Sequence, residues 1–320
     1  MLVLNNDDIS NLLSLNEIIS SVESALIAME NNECIVPKRM HLDWDKNTFL
    51  VMPSFSATHY GTKLVSVIPD NNLKHLPVTN GVMVLNCKET GMPVALLNAA
   101  KLTALRTGSL GAIGVKYMTP ENSDSIGLIG YGAQGIQQAI FSCAVRPIKK
   151  IYCLLRSLEG FEKLKLAVYS QFPKVEVIAC QTVEDVLLKT NILIAATTSP
   201  TPVFPNNKEI LKGKHFISIG SYKPSMQELP DAVFELAKCL AIDSEFARVE
   251  TGDSILPVQK KIIEESNVFT IGKLINKTRQ INVHETTAYK SAGMALFDLY
   301  VGQTMYEKAI EKNIGTIIQL

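Results

Sequence analysis

Hydrophobic and polar residues follow two different periods along the first third of this 320-residue chain. Between residues 7 and 31, apolar side chains recur near helical spacing, which predicts an amphipathic helix capped by Asp7 or Asp8. From about Pro37 to Val94, short apolar runs are separated by turn residues, a pattern typical of β-strands. The predicted strands of this region are 49–52, 63–67 and 81–85.

A second pattern, strand followed by helix, begins after Pro120. This alternation is typical of a parallel sheet with helices on both faces. The predicted strands are 125–130, 150–155, 175–180, 192–197, 215–220 and 239–243. An Ala- and Leu-rich helix is predicted over 98–118, and the chain from about Thr287 is predicted to be helical and to return to the first domain. The sequence therefore predicts an α/β fold, a Rossmann-type doubly wound parallel sheet plus an α+β domain.

Composition and charge restrict the classes of partner. The chain has 31 basic and 31 acidic residues, so its charge does not favour nucleic acid or an anionic membrane surface. No apolar run reaches the ~18 residues that span a bilayer. The first ten residues contain no basic side chain, so no signal peptide is expected. Six scattered cysteines indicate free thiols and a cytoplasmic location. The histidine spacing gives no zinc motif, and no metal is expected.

A glycine-rich turn follows the first strand of the alternating region. Residues 130–135 read Gly-Tyr-Gly-Ala-Gln-Gly, which matches G-x-G-x-x-G and leads into a predicted helix. In dinucleotide-binding folds, Gly130 would make the tight turn, Gly132 would let the backbone approach a pyrophosphate, and Gly135 would let helix and strand pack closely. The amides at the helix start, at Ala133 and Gln134, would face the phosphates. The alternative is a βα turn that binds nothing.

The next strand indicates which dinucleotide the turn would serve. An NAD enzyme carries an acidic residue at the end of this strand for the ribose 2′-hydroxyl. Here the strand ends in Arg156 and Ser157, whose charge and hydroxyl suit a 2′-phosphate. The sequence therefore predicts that NADPH is preferred and that NADH is possible, unless Arg156 is only a solvated surface charge.

Two later strands end in small hydroxylated residues. Thr197 and Thr198 follow the fourth strand, and Ser221 follows the fifth. Ligands of such sheets bind outside the carboxyl ends of the strands, so these residues are candidate cofactor contacts. The alternative is that these residues belong to ordinary loops, which have the same composition.

Three cations precede the alternating region in apolar surroundings. Arg39 follows Val36-Pro37-Lys38, Lys63 lies inside an apolar predicted strand, and Arg106 lies inside the predicted helix 98–118. A charge on an apolar element is costly unless it is paired or lines a cleft. The three cations therefore suggest an anion site. The alternative is that each one pairs within the fold or extends to solvent.

Seven motifs occur in order along the chain. They are Pro37-Lys38-Arg39, Met52-Pro53, Gly61 to Val65, Thr103 to Gly108, the glycine turn, Gly220 to Leu229 and Tyr289 to Gly293. In this combination the chain resembles the ornithine cyclodeaminase/mu-crystallin family over almost its whole length.

The resemblance implies a two-domain homodimer. Residues 1–118 and 290–320 would form a substrate-binding and dimerisation domain, and residues 119–289 the Rossmann domain. The residues implied to bind substrate are Arg39, Lys63, Arg106 and Gly293, with Lys63 and Arg106 as catalytic residues. Further cofactor contacts are implied at Thr107, Lys290 and Ser291. Fixing the substrate carboxylate would orient the adjacent carbon against the nicotinamide.

One position departs from the cyclodeaminase pattern. Tyr222 stands where those enzymes carry a catalytic Asp. The loop around it is more similar to the ketimine reductases, which reduce Δ1-pyrroline-2-carboxylate or Δ1-piperideine-2-carboxylate to L-proline or L-pipecolate. Lys63 would hold the carboxylate or protonate the imine nitrogen. Alternatives are an ornithine cyclodeaminase, an alanine-type amino-acid dehydrogenase, or a non-catalytic NADPH-binding protein like mu-crystallin.

Overall fold

The computed structural model describes residues 1–319, except the side chain of Asn72. The chain forms two compact units, one from Met1–Arg106 together with the chain from Met294 onward, and the other from Thr107–Gly293. The boundaries lie at different residues from those predicted, 118 and 290, and the first falls within a helix. The functional division of the chain stays a prediction.

The first unit has a run of strands between its helices, whereas strands and helices alternate along most of the second. The chain opens with β1 (Leu2–Leu4), α1 (Asn6–Ser10), α2 (Leu15–Glu30), β2 (Met40–Trp44), β3 (Asn47–Phe55), β4 (His59–Val67), a 3-10 helix (Pro69–Lys74), β5 (Thr79–Cys87), β6 (Pro93–Asn98) and α3 (Ala99–Met118). There follow β7 (Ser125–Ile129), α4 (Ala133–Val145), β8 (Lys150–Leu154), α5 (Leu158–Gln171), β9 (Glu176–Cys180), α6 (Val183–Lys189), β10 (Ile192–Ala195), α7 (Lys208–Leu211), β11 (His215–Ser218) and α8 (Asp231–Ala237). The chain closes with β12 (Leu240–Ile242), α9 (Ala247–Glu250), α10 (Gly252–Gln259), a 3-10 helix (Glu265–Asn267), β13 (Val268–Thr270), α11 (Gly272–Ile275), β14 (Thr287–Lys290), α12 (Ala295–Lys312) and β15 (Thr316–Ile317).

The first unit is built on a seven-stranded mixed sheet in the order β15-β1-β6-β5-β4-β3-β2. Strands β2 to β6 are antiparallel neighbours, whereas β1 pairs parallel to β6. Helix α12 packs on β3, β4 and β5, and α2 packs on α12. Ser21 Oγ lies 2.9 Å from Thr304 Oγ1 at this helix contact, and Ser54 Oγ donates to Ala295 O at 3.2 Å.

The amphipathic helix predicted over residues 7–31 is two helices in the structure. Asn5 caps α1 and Ser14 caps α2, each in a capping box with an acidic residue three positions later. The prediction that Asp7 or Asp8 is the cap was therefore wrong, and Asp8 instead returns a hydrogen bond to the Asn5 amide at 2.9 Å. The apolar period continues through the short break at Ser14, which hid the second helix start.

The second unit confirms the predicted α/β class. Its eight strands are all parallel and lie in the order β13-β12-β14-β11-β10-β7-β8-β9. Read across the sheet, β9, β8, β7, β10, β11 and β14 have the Rossmann order 3-2-1-4-5-6. Strands β12 and β13 extend the sheet beyond β14. Strands β10 and β11 are buried along their whole length, as expected for a parallel sheet covered on both faces.

The prediction of a helix from about Thr287 was wrong in its first residues. Thr287–Lys290 is β14, a fully buried strand between β11 and β12. The last helix begins only at Ala295. Within residues 1–319, no helix is both long and apolar enough to cross a bilayer.

Candidate functional site

The first unit brings two of the predicted cations onto one carboxylate. Lys63, on β4, donates from Nζ to Asp298 Oδ2 at 2.8 Å, and Arg106, on α3, donates from Nε to Asp298 Oδ1 at 3.2 Å. Asp298 lies on the buried face of α12 and is 0% exposed, while Lys63 is 2% and Arg106 7% exposed. Lys63 Nζ also donates to Thr103 Oγ1 at 3.3 Å. Two buried cations are therefore held side by side.

Burial lowers the pKa of Lys63 to about 8, against the opposing attraction of Asp298. The positive charges of Arg106 and Arg39 lower this pKa further. All three predicted cations therefore contribute to one electrostatic cluster. An ammonium with a pKa near neutrality is suited to giving up a proton during a reaction.

In the second unit, the glycine turn lies between β7 and α4. Gly130 has φ +91°, a conformation that side chains disfavour. A side chain at Gly135 would collide with the Gly130 carbonyl, whereas a Cβ at Gly132 would meet nothing within 4 Å. Gly132 is the N-cap of α4 and offers no capping side chain. The amides of Ala133 and Gln134 are therefore available at the helix start for an anionic ligand.

Two predicted cofactor residues carry buried polar atoms without a partner. Thr107 Oγ1 and Gln134 Oε1 are shielded from solvent and form no hydrogen bond within the described chain. Leaving such an atom unpaired costs about 1–3 kcal/mol, so each atom would gain from a ligand that supplies a hydrogen bond. With the open space over Gly132, these atoms fit a bound polar ligand at this edge of the sheet.

The turn and the loop after β10 flank the point where the strand order reverses. This is the place where ligands of doubly wound sheets bind. A Cβ at Gly130 would approach the Ala196 carbonyl oxygen to 2.5 Å, so the two loops are in close contact. The structure thus places Gly130 and Thr197 beside the same crevice.

The loop after β8 is tied to the glycine turn through Tyr131. The Tyr131 hydroxyl oxygen accepts from the Arg156 amide at 2.6 Å and from the Ser157 amide at 2.8 Å. The same hydroxyl donates to the Ser157 carbonyl at 3.2 Å. Ser157 caps α5 by accepting from the Gly160 amide at 3.1 Å. Both Arg156 and Ser157 are exposed.

A buried carboxylate joins the loops after β10 and β11. Glu228 is 0% exposed. Its Oε1 accepts from the amide and the hydroxyl of Thr197, each at 2.8 Å. Its Oε2 accepts from the Gly220 amide at 2.7 Å and the Ser221 amide at 3.3 Å. Glu228 therefore fixes two of the strand ends at which cofactor contacts were predicted.

A second buried acid lies beside Glu228. Asp253 accepts from the Ser218 hydroxyl at 2.7 Å and from the Ser221 hydroxyl. The Ser218 hydroxyl also lies 2.8 Å from Glu228 Oε2, and Lys290 Nζ donates to Ser218 Oγ at 3.2 Å. Burial raises the pKa of Asp253 and lowers that of Lys290. The side chains of Ser221 and Lys290, both predicted cofactor contacts, thus belong to an internal network.

A third buried acid holds the segment after β14. Asp243 Oδ2 accepts from the Ser291 hydroxyl at 2.7 Å and from the Gly293 amide at 2.6 Å. Gly293 has φ +71°, which favours glycine at this position. Asp243 therefore shapes the turn that carries Ser291, a predicted cofactor contact, and Gly293, a predicted substrate contact.

Two residues of the predicted site face solvent. Thr198 is exposed. Tyr222, at the position of the cyclodeaminase Asp, is 58% exposed, and Lys223 Nζ lies 5.6 Å from the centre of its ring. Within residues 1–319, no group of three His, Cys, Asp or Glu side chains is arranged to hold a metal ion.

Sequence reasoning missed the acidic partners of these residues. Asp298, Glu228, Asp253 and Asp243 are all buried, and all bind residues that the sequence did predict. An available signal was the position of Asp298 among apolar residues of a helix, Ala295-Leu296-Phe297-Asp298-Leu299. Tyr131 was also missed, although it lies inside the glycine motif.

The parallel sheet, its strand order and the glycine turn at the first strand define a Rossmann-type α/β protein. The chain belongs to the ornithine cyclodeaminase/mu-crystallin family, whose model matches residues 1–313. This confirms the predicted resemblance.

Three known proteins resemble the chain over its length. A Bacillus cereus Δ1-pyrroline-2-carboxylate reductase is 32% identical, with 100% of both chains covered. The structure of the Thermococcus litoralis Δ1-pyrroline-2-carboxylate reductase, in complex with NADH and L-proline, is 30% identical with a TM-score of 0.91, covering 99% of this chain and 100% of that one. An archaeal alanine dehydrogenase dimer with bound NAD is 29% identical with a TM-score of 0.91, covering 100% of this chain and 99% of that one.

Proposed function

We propose that this protein is an NADPH-dependent reductase of cyclic imino acids. Its substrates would be Δ1-pyrroline-2-carboxylate, Δ1-piperideine-2-carboxylate or both, and its products L-proline or L-pipecolate. The observation that carries the proposal is the buried cluster in which Lys63 and Arg106 both bind Asp298. The full-length similarity to two Δ1-pyrroline-2-carboxylate reductases supports the choice of substrate class.

The cation cluster would bind the substrate carboxylate. Lys63 and Arg106 lie together at Asp298, and two neighbouring cations favour the binding of an anion beside them. Arg39 adds a third positive charge in reach of Lys63. A carboxylate bound here would have its imine carbon held in a fixed orientation, which is a large part of the catalysis of such transfers.

Lys63 would supply the proton that the imine nitrogen needs. Its Nζ is held by Asp298 and Thr103, so the ammonium has a defined place. A pKa of about 8 lets Lys63 carry the proton at neutral pH and release it readily. Arg106 has no such capacity, because a guanidinium stays protonated in proteins. We therefore propose carboxylate binding for Arg39 and Arg106, and proton donation for Lys63.

The second unit would bind the dinucleotide. The residues that would hold it are Gly132, Ala133 and Gln134 at the pyrophosphate, and Thr107, Thr197, Ser221, Lys290 and Ser291 through the strand-end loops. The open space over Gly132 and the unpartnered oxygens of Thr107 and Gln134 fit such a ligand. When bound, NADPH supplies the hydride that reduces the C=N carbon.

The preference for NADPH is proposed from the loop after β8. Arg156 and Ser157 are exposed there, and no carboxylate ends the strand to accept a ribose 2′-hydroxyl. A guanidinium and a hydroxyl suit a 2′-phosphate. NADH remains a second cofactor, as both related structures contain NADH or NAD.

A spectrophotometric assay tests the reductase proposal. Purified protein should oxidise NADPH with the five- or six-membered imine, and Arg106→Ala should lose about 100-fold or more of the kcat/KM. Lys149→Ala removes an exposed cation just before β8 and is the control, with unchanged activity expected. Absence of turnover of both imines with NADPH and with NADH would overturn the proposal.

Arg156→Ala tests the cofactor preference separately. The wild-type protein should bind NADPH more tightly than NADH, and the variant should lose about tenfold or more of NADPH affinity while NADH affinity changes little. Fluorescence titration of each reduced cofactor measures both affinities. An unchanged preference in the variant would show that Arg156 is only a surface charge.

Amino-acid dehydrogenation is the second candidate function. The archaeal alanine dehydrogenase matches the whole chain with the same TM-score as the Thermococcus litoralis reductase. Pyruvate with ammonia in the same assay distinguishes the two reactions. Ornithine, with release of ammonia, tests the cyclodeaminase reaction, which the tyrosine at position 222 disfavours. Tight NADPH binding without turnover of any of these substrates would favour a binding protein.

We further propose that the protein is a cytoplasmic homodimer. The edge strand β2 is exposed at every residue, and Met40, Leu42 and Trp44 alternate along it. Exposed apolar side chains on an edge strand favour association. The related alanine dehydrogenase is a dimer.

A further inference from the structure

Tyr131 stands at the second position of the glycine turn, yet its side chain acts on another loop. The ring is 8% exposed, and its hydroxyl is bound to the backbone of Arg156 and Ser157 only. Gly160, in the first turn of α5, makes room for the ring, because a Cβ there would approach Tyr131 Cε2 to 2.7 Å. The tyrosine therefore fills a place that the following helix leaves open for it.

These contacts use up the backbone groups of the loop. Both amides donate to one hydroxyl oxygen, and the Ser157 carbonyl accepts the hydrogen of that hydroxyl. A phosphate at this strand end would therefore meet side chains rather than amides. Ser157 Oγ accepts from the Gly160 amide, so its own hydrogen is left to donate. The Arg156 side chain is exposed and projects from a backbone that Tyr131 holds.

We propose that Tyr131 is the positioning residue that sets the choice between NADPH and NADH. Its hydroxyl fixes the backbone from which Arg156 and Ser157 present a guanidinium and a hydroxyl to the 2′-phosphate. Without that hydroxyl, the loop loses three hydrogen bonds and the two side chains lose their common anchor. The inference rests on the proposed dinucleotide function. It adds a residue that affects cofactor specificity without contacting the 2′-phosphate, the group that distinguishes NADPH from NADH.

Tyr131→Phe tests the proposal, because phenylalanine keeps the buried ring and removes only the hydroxyl. The dissociation constants of NADPH and NADH are measured by fluorescence titration in wild type and variant. We expect NADPH affinity to fall by about five- to twentyfold and NADH affinity by less than about twofold, because the lost hydrogen bonds fix the loop only where the 2′-phosphate would bind. If the ratio of NADPH affinity to NADH affinity in the variant equalled or exceeded that of the wild type, the proposal would be overturned, even if the melting temperature fell.

Tyr152→Phe is the matched control. Tyr152 lies on β8, and its hydroxyl forms no hydrogen bond among residues 1–319, so its removal should leave the ratio unchanged. In an Arg156→Ala background, Tyr131→Phe should have little further effect on the ratio, since Tyr131 acts through Arg156. Full additivity of the two changes would also overturn the proposal.

Gly160→Ala provides a second route to the same loop. The added methyl group would displace the Tyr131 ring without deleting any hydrogen-bonding atom, and the same selective loss of NADPH affinity is expected. If the wild-type protein bound neither cofactor, the proposed function itself would fail. If the wild-type protein bound both cofactors and every variant kept the wild-type ratio of NADPH to NADH affinity, only the proposed role of Tyr131 would fail.

Discussion

Burial of Lys63 and Arg106 is tolerated because Asp298 lies between them. Each cation on its own would be costly to remove from water. The shared carboxylate offsets this cost, and in the proposed reaction a substrate carboxylate would add a second negative charge beside the same two cations. The structural ion pair and the proposed substrate site would then be the same cluster.

The pKa of Lys63 predicts how activity depends on pH. Because the proposed donor is the protonated ammonium, kcat/KM for the imine should fall as the pH rises through about 8. Asp298 raises this pKa, so Asp298→Asn should move the fall to lower pH, by about 1–3 units. The measurement is a pH profile of kcat/KM with saturating NADPH.

Lys63→Arg serves as the companion variant for this profile. Arginine keeps the positive charge but cannot release its proton, so the fall near pH 8 should disappear together with most of the activity. A fall that stays at the same pH in both variants would contradict proton donation by Lys63.

Sequence could predict Lys63 and Arg106 but not the anion that they share. Lys63 and Arg106 were noticeable because each is a charge among apolar neighbours in the chain. Their partner Asp298 lies 235 residues beyond Lys63, and such pairing depends on the packing of α12 against β4. Local patterns carry no information about contacts at that separation.

Among the elements, the loops after β10 and β11 depend on Glu228. Its carboxylate accepts from Thr197 and Gly220, so both loops share one buried anchor. Fixed loops are needed if these strand ends are to bind a cofactor with little cost in ordering.

Removal of this anchor should destabilise the second unit. Glu228→Ala leaves several buried donors unpaired and should lower the free energy of unfolding by roughly 3–5 kcal/mol. Urea denaturation without cofactor measures this loss. Glu235→Ala is the control, because its ion pair with Lys208 is partly exposed and such pairs are worth about 0–1 kcal/mol. Equal losses in the two variants would show that Glu228 is not an anchor.

Whether an element could be predicted depended on the residues within it. Strand β10 is a short apolar run, Ile-Leu-Ile-Ala, and was predicted near its observed position. Strand β14 reads Thr-Ala-Tyr-Lys, and its terminal lysine concealed a central buried strand. Lys290 can lie there only because Asp253, Glu228 and Asp243 favour its charge. Those acids come from other elements, so the strand could not be found from its own sequence.

For the whole molecule, balanced charge and the exposed apolar edge at β2 both permit copies of the chain to associate. With 31 basic and 31 acidic residues, the chain has no net charge to keep copies apart at pH 7. Association through β2 would then be opposed only weakly by electrostatics.

The proposed dimer can be tested through that strand. The wild-type protein should have twice the 35.2 kDa mass of the chain in light scattering, and Leu42→Asp with Trp44→Asp should reduce the mass to that of one chain. Leu166→Asp changes an exposed leucine of α5 and should leave the mass unchanged. A wild-type protein with the mass of one chain would contradict the proposal.

The contacts of the Ser218 hydroxyl bear on the protonation of the two acids beside it. Its hydroxyl lies within hydrogen-bonding distance of Glu228 and of Asp253 but has only one hydrogen to donate. It can therefore donate to only one of the two acids at a time, and burial raises the pKa of the neighbouring Asp253 carboxyl. In the unfolded chain both carboxyl groups ionise at neutral pH. Because burial raises the pKa of Asp253, folding favours protonation of this carboxyl, and the stability linked to that proton is lost as the pH rises through its folded-state pKa.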